Sequence, residues 1–400
     1  MKKFILAILI LFMISSAVSA ENIQQLSWSE IEEKADGTTI NFYMYGGNRR
    51  VNNWIDTFVA DNLKEKYNLH LHRVPMGPDD YLNKLIGEKQ IGRDKGSIDL
   101  LWINGENFKI AMDKELLFGP FVEKLPYFNK YINKESESVT HDFGYPTQGY
   151  EAPYGKAQFV FIYDSNKIEN PPSSFEELTN WIKNNPGKFT YAALPDFTSS
   201  AFVRHVIYNT SGGYEKFYDM DEQKFVEEIQ PAMDYLEEIE PYLWREGETY
   251  PATQSQLDNL YADGEVWMTM GYNPTKASGE IAKGNFPESS RSFIIEEGTI
   301  ANTHFLAVPF NAPNKEGALL TANFLLSFEA QYNKMQPEVW GDFTVLDLNK
   351  LNSEQKEMFE KLDLGKSTLP LEELQSKRVP EIPAKWVPLI EAEWQKRIAR

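Results

Sequence analysis

The chain has 400 residues, no cysteine and a formal net charge of −19, and 42% of its residues are hydrophobic. This apolar content excludes a disordered chain, and the lack of cysteine excludes disulfide scaffolds, thiolate metal sites and thiol catalysis. The acidic balance argues against nucleic acid or an anionic membrane as a partner, because both are bound by basic surfaces.

The first twenty residues have the pattern of a secretory signal peptide. Lys2 and Lys3 precede an apolar run at 4–13, and small residues follow up to Ala20. The run is shorter than the ~20 apolar residues that span a bilayer. We therefore expect cleavage after Ala20, which removes two lysines and leaves 380 residues with a net charge of −21. An exported protein without a lipid-anchoring cysteine is expected in the periplasm.

Helices and strands alternate in the first part of the mature chain. Ser27 and Glu30 have the spacing of a capping box and predict a short helix that ends at Gly37. Periodicity predicts strands at 39–45, 69–74 and 98–103, and helices at 51–66 and 81–91. This repeated order of strand and helix indicates a parallel α/β sheet.

A second set of elements begins near residue 157. Strands are predicted at 158–163, 188–192, 265–270 and 303–308, and helices at 174–182, 196–208, 225–239, 318–328 and 387–398, with a further helix starting at Asn273. We therefore predict an α/β fold with two lobes. Residues 21–157 and 301–400 would form the first lobe and residues 158–300 the second, with the C-terminal part able to pack on either. Crossings near 153–160 and 298–306 would join them.

Catalytic and metal motifs are absent from the sequence. It contains no nucleophile elbow, no phosphate-binding P-loop and no paired-histidine zinc motif. The segment from Asp219 begins like a calcium loop, but Lys224 replaces the required glycine, so helix capping is expected instead. His70 and His72 share one face of a strand without a third ligand in view, which favours half-buried strand residues. We expect no metal and no cofactor.

Four polar or glycine-containing loops follow predicted strands or open a helix, where open α/β sheets bind ligands. The candidate ligand-binding residues in them are Tyr45, Gly46, Gly47, Asn48, Asn104, Gly105, Glu106, Asn107, Phe197, Thr198, Ser199, Tyr272 and Asn273. Further candidates are Tyr154, Thr303, His304 and Trp340. Turn or cap chemistry is the alternative for each loop alone. Two facing lobes, however, would bring the loops together along one cleft.

Several stretches together carry a family resemblance. They are 41–47 (NFYMYGG), 99–108 (DLLWINGENF), 117–121 (LFGPF), 158–164 (QFVFIYD), 195–198 (PDFT), 298–305 (GTIANTHF), 322–331 (ANFLLSFEAQ) and 340–342 (WGD). With them the chain resembles the bacterial extracellular solute-binding proteins of ABC importers. More narrowly, it is similar to the YnjB-type branch near the iron-, thiamine- and polyamine-binding proteins.

The resemblance implies a type II periplasmic-binding fold with a hinge, an interlobe cleft and no catalysis. It implies a monomer that captures a small polar or aromatic solute and delivers it to an inner-membrane ABC permease with its ATPase. Kinship suggests a thiamine-like solute, whose ring would stack on Tyr45, Tyr154 or Tyr272. A phosphate on it would meet free amides at Thr198. The alternatives are a ferric-iron or polyamine binding protein, a secreted hydrolase that uses carboxylates such as Glu106, or an adhesion or scaffolding protein.

Overall fold

The computed structural model describes residues 23–399, so the expected signal peptide at 1–20 lies outside the described residues. The strands are β1 (Thr39–Met44), β2 (His70–Pro75), β3 (Leu100–Ile103), β4 (Leu117–Phe118), β5 (His141–Asp142), β6 (Tyr145–Pro146), β7 (Glu151–Gln158), β8 (Val160–Asp164), β9 (Met268–Gly271), β10 (Ser290–Phe293), β11 (Thr299–Pro309) and β12 (Arg378–Val379). They form two principal sheets and one short hairpin.

Eighteen α-helices surround the sheets in this part of the chain. The first nine are α1 (Trp28–Ala35), α2 (Arg49–Trp54), α3 (Ala60–Tyr67), α4 (Pro78–Gln90), α5 (Gly105–Asp113), α6 (Pro126–Tyr131), α7 (Glu137–Thr140), α8 (Phe175–Asn184) and α9 (Phe197–Ser211). The others are α10 (Glu222–Glu228), α11 (Gln230–Ile239), α12 (Gln254–Ala262), α13 (Lys276–Ala282), α14 (Lys315–Leu325), α15 (Phe328–Met335), α16 (Ser353–Glu360), α17 (Leu371–Ser376) and α18 (Val387–Arg397). A π-helical segment joins α2 to α3. Within these described ranges no helix combines the length and apolar character needed to cross a bilayer.

The first sheet has the strand order β12-β11-β3-β1-β2, with β4 and β7 also paired to β11. Strands β1, β2 and β3 are parallel, which confirms the interpretation of the repeated strand–helix order. The inward side chains of β1, among them Ile40 and Phe42, are fully buried. Strand β11 runs antiparallel to β3 and β7, and the pairing of β11 with β7 extends from Ala301 opposite Gln158 to Ala307 opposite Glu151.

The second sheet has three strands in the order β10-β8-β9, and both of its pairings are antiparallel. Strand β8 follows β7 after one residue, and β11 follows β10 after a short turn. The long β7–β11 pair is therefore the connection between the two sheets. A buried apolar set of side chains from α9, including Phe202 and Val206, covers the second sheet.

Two secondary-structure predictions differ from the structure. No strand forms at 188–192, where isolated bonds from the amides of Trp267 and Trp244 to the carbonyls of Lys188 and Phe189 replace a ladder. The helix expected from Asn273 begins instead at Lys276, because the Asn273 side chain accepts a bond from the Thr275 amide and holds a turn.

His70 and His72 are exposed rather than half-buried, because β2 is the edge strand of its sheet. Among residues 23–399 no group of three His, Asp or Glu side chains lies close enough to hold a metal ion. The capping expectation near Asp219 is confirmed at Asp221, whose carboxylate accepts a 2.8 Å bond from the Lys224 amide and starts α10.

Candidate functional site

The loop after β1 presents a tyrosine to solvent. Tyr45 is 60% exposed, and its ring folds so closely over the loop that a Cβ on Gly47 would lie 2.0 Å from its hydroxyl. Glycine is therefore required at 47 for this ring position. Asn48 is the N-cap of α2, since its side-chain oxygen accepts bonds from the amides of Arg50 and Val51 at 3.0 and 3.3 Å. Its polar side chain thus serves the helix.

The loop after β3 is held by two side-chain bonds. Asn104 accepts a 2.9 Å bond from the Trp102 indole and donates one to the Thr303 carbonyl of β11. Gly105 has a φ of +59° and donates its amide to the buried Asp142 carboxylate. These contacts leave Glu106 and Asn107 at the first turn of α5, where Asn107 makes a 3.4 Å bond to the Glu106 carboxylate.

The start of α9 differs from the expectation of free amides. Asp196 is the N-cap, and one of its carboxylate oxygens accepts bonds from the amides of Thr198 and Ser199 at 3.1 and 3.0 Å. The Ser199 hydroxyl is buried and accepts a 2.7 Å bond from the Ala192 amide. The amides therefore already have a negatively charged partner, and the expected phosphate contact at Thr198 is wrong for this arrangement.

Phe197 and Tyr272 bring two predicted loops together. Their ring centroids lie 5.1 Å apart, and Phe197 is 50% exposed. Burial and the charge of Asp196 raise the pKa of the Tyr45 hydroxyl, although the residue as a whole is exposed. Because the charge of Asp196 acts on Tyr45, the loop after β1 and the start of α9 lie near each other, one beside each sheet.

Four aromatic rings form a cluster beside β7 and β11. The Trp102 ring centroid lies 5.3 Å from that of Tyr154, 4.9 Å from that of His304 and 5.9 Å from that of Trp340. Tyr154 and Trp340 are buried, whereas Trp102 is partly exposed. Asn273 donates a 2.9 Å bond to the Trp340 carbonyl, which links this cluster to the loop after β9. The structure thus brings Tyr154, His304, Trp340 and Asn273 together around Trp102.

A buried ion pair lies behind this aromatic cluster and contacts its histidine. Asp342 contacts the Lys334 ammonium at 2.7 Å and His304 Nε2 at 3.1 Å. Lys334 and Asp342 are both buried. Burial lowers the pKa of Lys334, and the Asp342 carboxylate opposes that shift. The pair fixes the imidazole of His304, which is therefore a positioned wall residue of the cluster.

Arg204 and Glu381 form a second buried ion pair between α9 and the segment after β12. Arg204 Nε lies 3.0 Å from Glu381 Oε2, and the two side chains are 1% and 2% exposed. The Tyr272 hydroxyl donates to Glu381, and Asn302 donates to the same carboxylate at 3.2 Å. This network connects the loop after β9 with β11.

Carboxylates outnumber cations around this network. Burial raises the pKa of Glu106, an effect that Arg204 opposes and that Glu381 reinforces. Burial and the nearby Glu106 raise the pKa of Glu391 to about 7. Within residues 23–399, no lysine or arginine lies within 4.0 Å of the Glu106 or Glu391 carboxylates. Within this part of the chain the two carboxyl groups accordingly lack a compensating cation, and a bound cation would favour their ionised forms.

One predicted residue, Thr303, faces away from this site. The Thr303 hydroxyl donates to the Ser138 carbonyl, and Thr303 lines a separate cavity.

The sequence interpretation missed Trp102, Asp142, Asp196, Arg204 and Glu381. A signal was available for Arg204, which is a lone charge within the apolar run 202–207 of α9. No comparable local signal marks Glu381.

Comparison with known proteins completes this picture. A profile of the family described as bacterial extracellular solute-binding protein matches residues 59–351. The chain is 37% identical over 333 residues to Protein YnjB of Escherichia coli (strain K12), which covers 82% of this chain and 85% of that protein.

Solved structures share the fold at low sequence identity. An ABC transporter protein from Clostridium perfringens ATCC 13124 aligns with a TM-score of 0.63 at 17% identity, covering 90% of this chain and 99% of that chain. A periplasmic thiamin binding protein aligns with a TM-score of 0.59 at 17% identity, covering 90% of this chain and 96% of that chain. The two-lobe α/β fold expected from the sequence is therefore confirmed. The chain belongs to the family of bacterial extracellular solute-binding proteins and, within it, to the branch of Protein YnjB.

Proposed function

We propose that this protein is the periplasmic solute-binding component of an ABC importer and that its solute is a small organic cation with an aromatic ring. The observation that carries the proposal is the pair of carboxyl groups of Glu106 and Glu391, which lack a cation within 4.0 Å among the described residues and lie in the same region as the exposed ring of Phe197. A cation there would restore charge balance, and ring faces attract cations. Thiamine has both features, which agrees with the fold shared with a thiamin binding protein. A membrane permease with its ATPase would receive the solute.

We assign the solute to the space between the loop after β1, the loop after β3 and the start of α9. Tyr45 and Phe197 offer exposed rings, and Trp102 offers a partly exposed one. The Glu106 carboxylate accepts only a long bond of 3.4 Å from Asn107 among the side chains of the described residues, so it is free to contact a ligand. Gly46, Gly47 and Gly105 make room for the side chains of Pro75, Tyr45 and Phe143, which shape this space, and Asn107 would supply a polar contact. The other predicted residues support this space: Asn48 and Ser199 as helix caps, and Tyr272, Asn273, His304 and Trp340 as its positioned walls.

The two lobes would divide near the β7–β11 crossing, with residues 21–157 in one and 158–300 in the other. The contacts of the last helix favour the second lobe for α18. Its Trp394 indole donates a 3.1 Å bond to the Tyr191 hydroxyl, and Arg397 contacts Asp234 and Glu237 of α11. Helix α16 instead packs Phe359 against Phe328 of α15. The C-terminal part would therefore span both lobes.

Closure of the cleft would be stabilised by contacts between these lobes. Arg50 of α2 contacts Glu280 of α13 at 2.9 Å, and its guanidinium lies against Gly279, where a Cβ would be 1.9 Å away. A solute that binds the closed form better than the open form shifts the hinge equilibrium toward closure. No bond is made or broken in this cycle.

Titration of the purified mature protein with a defined panel tests the proposal. The panel contains thiamine, spermidine, ferric citrate, a neutral sugar and a sugar phosphate. Binding of each is measured by calorimetry and by the shift of the thermal unfolding midpoint. We expect the aromatic cation to bind and to raise the midpoint. Preference for the sugar phosphate, or turnover of a glycoside or ester substrate, would overturn it. Native mass spectrometry of gently purified protein would identify a solute carried from the cell.

A further inference from the structure

A cavity of about 430 Å³ lies beside the β7–β11 connection and shares only Thr303 with the predicted cleft residues. Its walls come from 136–144, from β7, from β11 and from the segment 375–381. In a strand, successive side chains point to opposite faces. His304 accordingly contacts the aromatic cluster, whereas the Thr303 hydroxyl bonds to the Ser138 carbonyl at 2.7 Å in the cavity wall. The cavity is thus a separate space at the connection between the sheets.

Two partly buried cations line this cavity without a partner. Within residues 23–399, neither the Lys156 ammonium nor the Arg378 guanidinium has a hydrogen bond or an ion pair. Burial and the charges of Arg378 and Lys334 lower the pKa of Lys156 to about 8, an effect that the Asp347 carboxylate opposes, and burial lowers the pKa of Arg378 to about 10. Two neighbouring like charges in a recess cost free energy unless an anion compensates them.

The carboxylates in the wall do not provide this compensation. Glu381 is paired with Arg204. Asp142 accepts the Gly105 amide, and burial raises its pKa well above the ordinary value. Glu137 is exposed at the rim. Neither these three nor Asp347, whose charge acts on Lys156 from outside the wall, lies within 4.0 Å of either cation, so Lys156 and Arg378 remain available to a ligand.

We infer that this cavity is a second binding site, in which Lys156 and Arg378 together hold a small anion that carries a carboxylate or phosphate group. A guanidinium presents a planar fork of donors to such a group, and the ammonium adds a point charge. The Gln375 side chain stands at the same wall as a further polar group. The site does not depend on which solute the cleft binds.

The position of the two cations gives the anion a structural consequence. Lys156 lies on β7 opposite Thr303, and Arg378 lies on β12, which pairs with the start of β11. Arg378 is followed three residues later by Glu381, whose carboxylate contacts Arg204 and Tyr272. A bound anion would therefore fasten the segment that carries Glu381 to the strands connecting the sheets.

Thermal unfolding of the full mature protein with inorganic phosphate, sulfate and citrate tests this site. Sodium chloride at equal ionic strength is the reference for general salt effects. At least one of the three anions is expected to raise the midpoint by a few degrees above that reference. The variant Lys156→Met/Arg378→Met should lose this rise, whereas Lys114→Met, which removes an exposed cation, should keep it. Failure of all three anions to exceed the chloride reference would overturn the site.

Two further measurements keep the test decisive. The double variant should be at least as stable as the wild type without anion, because it removes two uncompensated charges. If it fails to fold, Lys156→Gln with calorimetric titration of phosphate replaces it, and an unchanged affinity would contradict the site. The variant Glu106→Gln should keep the anion response. If its response to the anion became larger, the anion would be bound in the cleft, where the substitution removes a repelling carboxylate, and this inference would fall while the proposed solute binding would remain.

Discussion

Buried charges in this protein fall into two groups, which differ in whether they have a partner. Arg204 with Glu381 and Lys334 with Asp342 are compensated at 3.0 and 2.7 Å. Glu106 and Glu391, at the proposed solute site, lack a cation at comparable distance within the described residues. Compensated pairs fix the relative position of the segments that carry them. Uncompensated charges add nothing to the fold and indicate where an oppositely charged ligand is expected.

The substitution Arg204→Met should cause the largest loss of stability, about 3–5 kcal/mol, because it leaves Glu381 buried without a counter-charge. Chemical denaturation with linear extrapolation measures the change. The double variant Arg204→Met/Glu381→Met should cost less than the single one, because it removes both charges. A single variant with wild-type stability would show that the pair is not a structural element and would break the distinction between the two groups.

The substitution Glu106→Gln should leave stability nearly unchanged and weaken solute binding about tenfold, which corresponds to about 1.4 kcal/mol for a lost charge-assisted contact. Isothermal calorimetry with the solute identified by the panel measures the affinity. Glu169→Gln is the matched control, since Glu169 is an exposed carboxylate. Equal affinities of wild type and Glu106→Gln would mean that the unpaired charge serves another purpose than solute recognition.

Elements that depend on nearby residues were predictable from the sequence. The capping box of Ser27 with Glu30 forms as expected, and strand β1 has the buried alternation that its residues indicate. Both features involve residues a few positions apart. The antiparallel pairing of β8, β9 and β10 was not accessible, because each pairing joins strands more than a hundred residues apart in the chain.

The candidate site was predictable only in outline. Its loops follow strands, so position along the chain was sufficient to nominate Tyr45, Asn104 and Tyr272. The role of each residue depends on distant partners: Asp196 occupies the amides that a phosphate would need, and Glu381 reaches Arg204 across 177 residues. Periodicity and motif spacing contain no information on such contacts.

The substitution Arg50→Ala should reduce solute affinity about fivefold, because the contact of Arg50 with Glu280 is partly exposed and contributes about 1 kcal/mol to closure. This pair is compensated, but it joins helices beside different sheets rather than fixing a core. Small-angle scattering should show a larger radius of gyration for the variant without solute. The exposed neighbour Arg49 provides the control Arg49→Ala. An unchanged affinity and radius would show that this contact does not contribute to closure.

The pH dependence of stability should reflect the uncompensated Glu391. Burial and the nearby Glu106 raise its pKa from 4.5 to about 7 in the folded protein, with Asp79 adding to the shift and Arg204 opposing it. Between these two values the folded state binds more protons than the unfolded state. Stability contributed by this group is therefore present at low pH and is lost as the pH rises from about 4.5 to about 7.

The substitution Glu391→Gln should flatten this part of the stability profile, since an amide does not titrate. Denaturation midpoints measured at several pH values for the wild type and the variant reveal the difference, with Glu169→Gln as the control for an exposed carboxylate. A variant profile that declines as steeply as that of the wild type would show that Glu391 already has a compensating partner. Glu106 would then be the one carboxylate of this pair that attracts a cationic solute, and the protein should prefer cations less strongly.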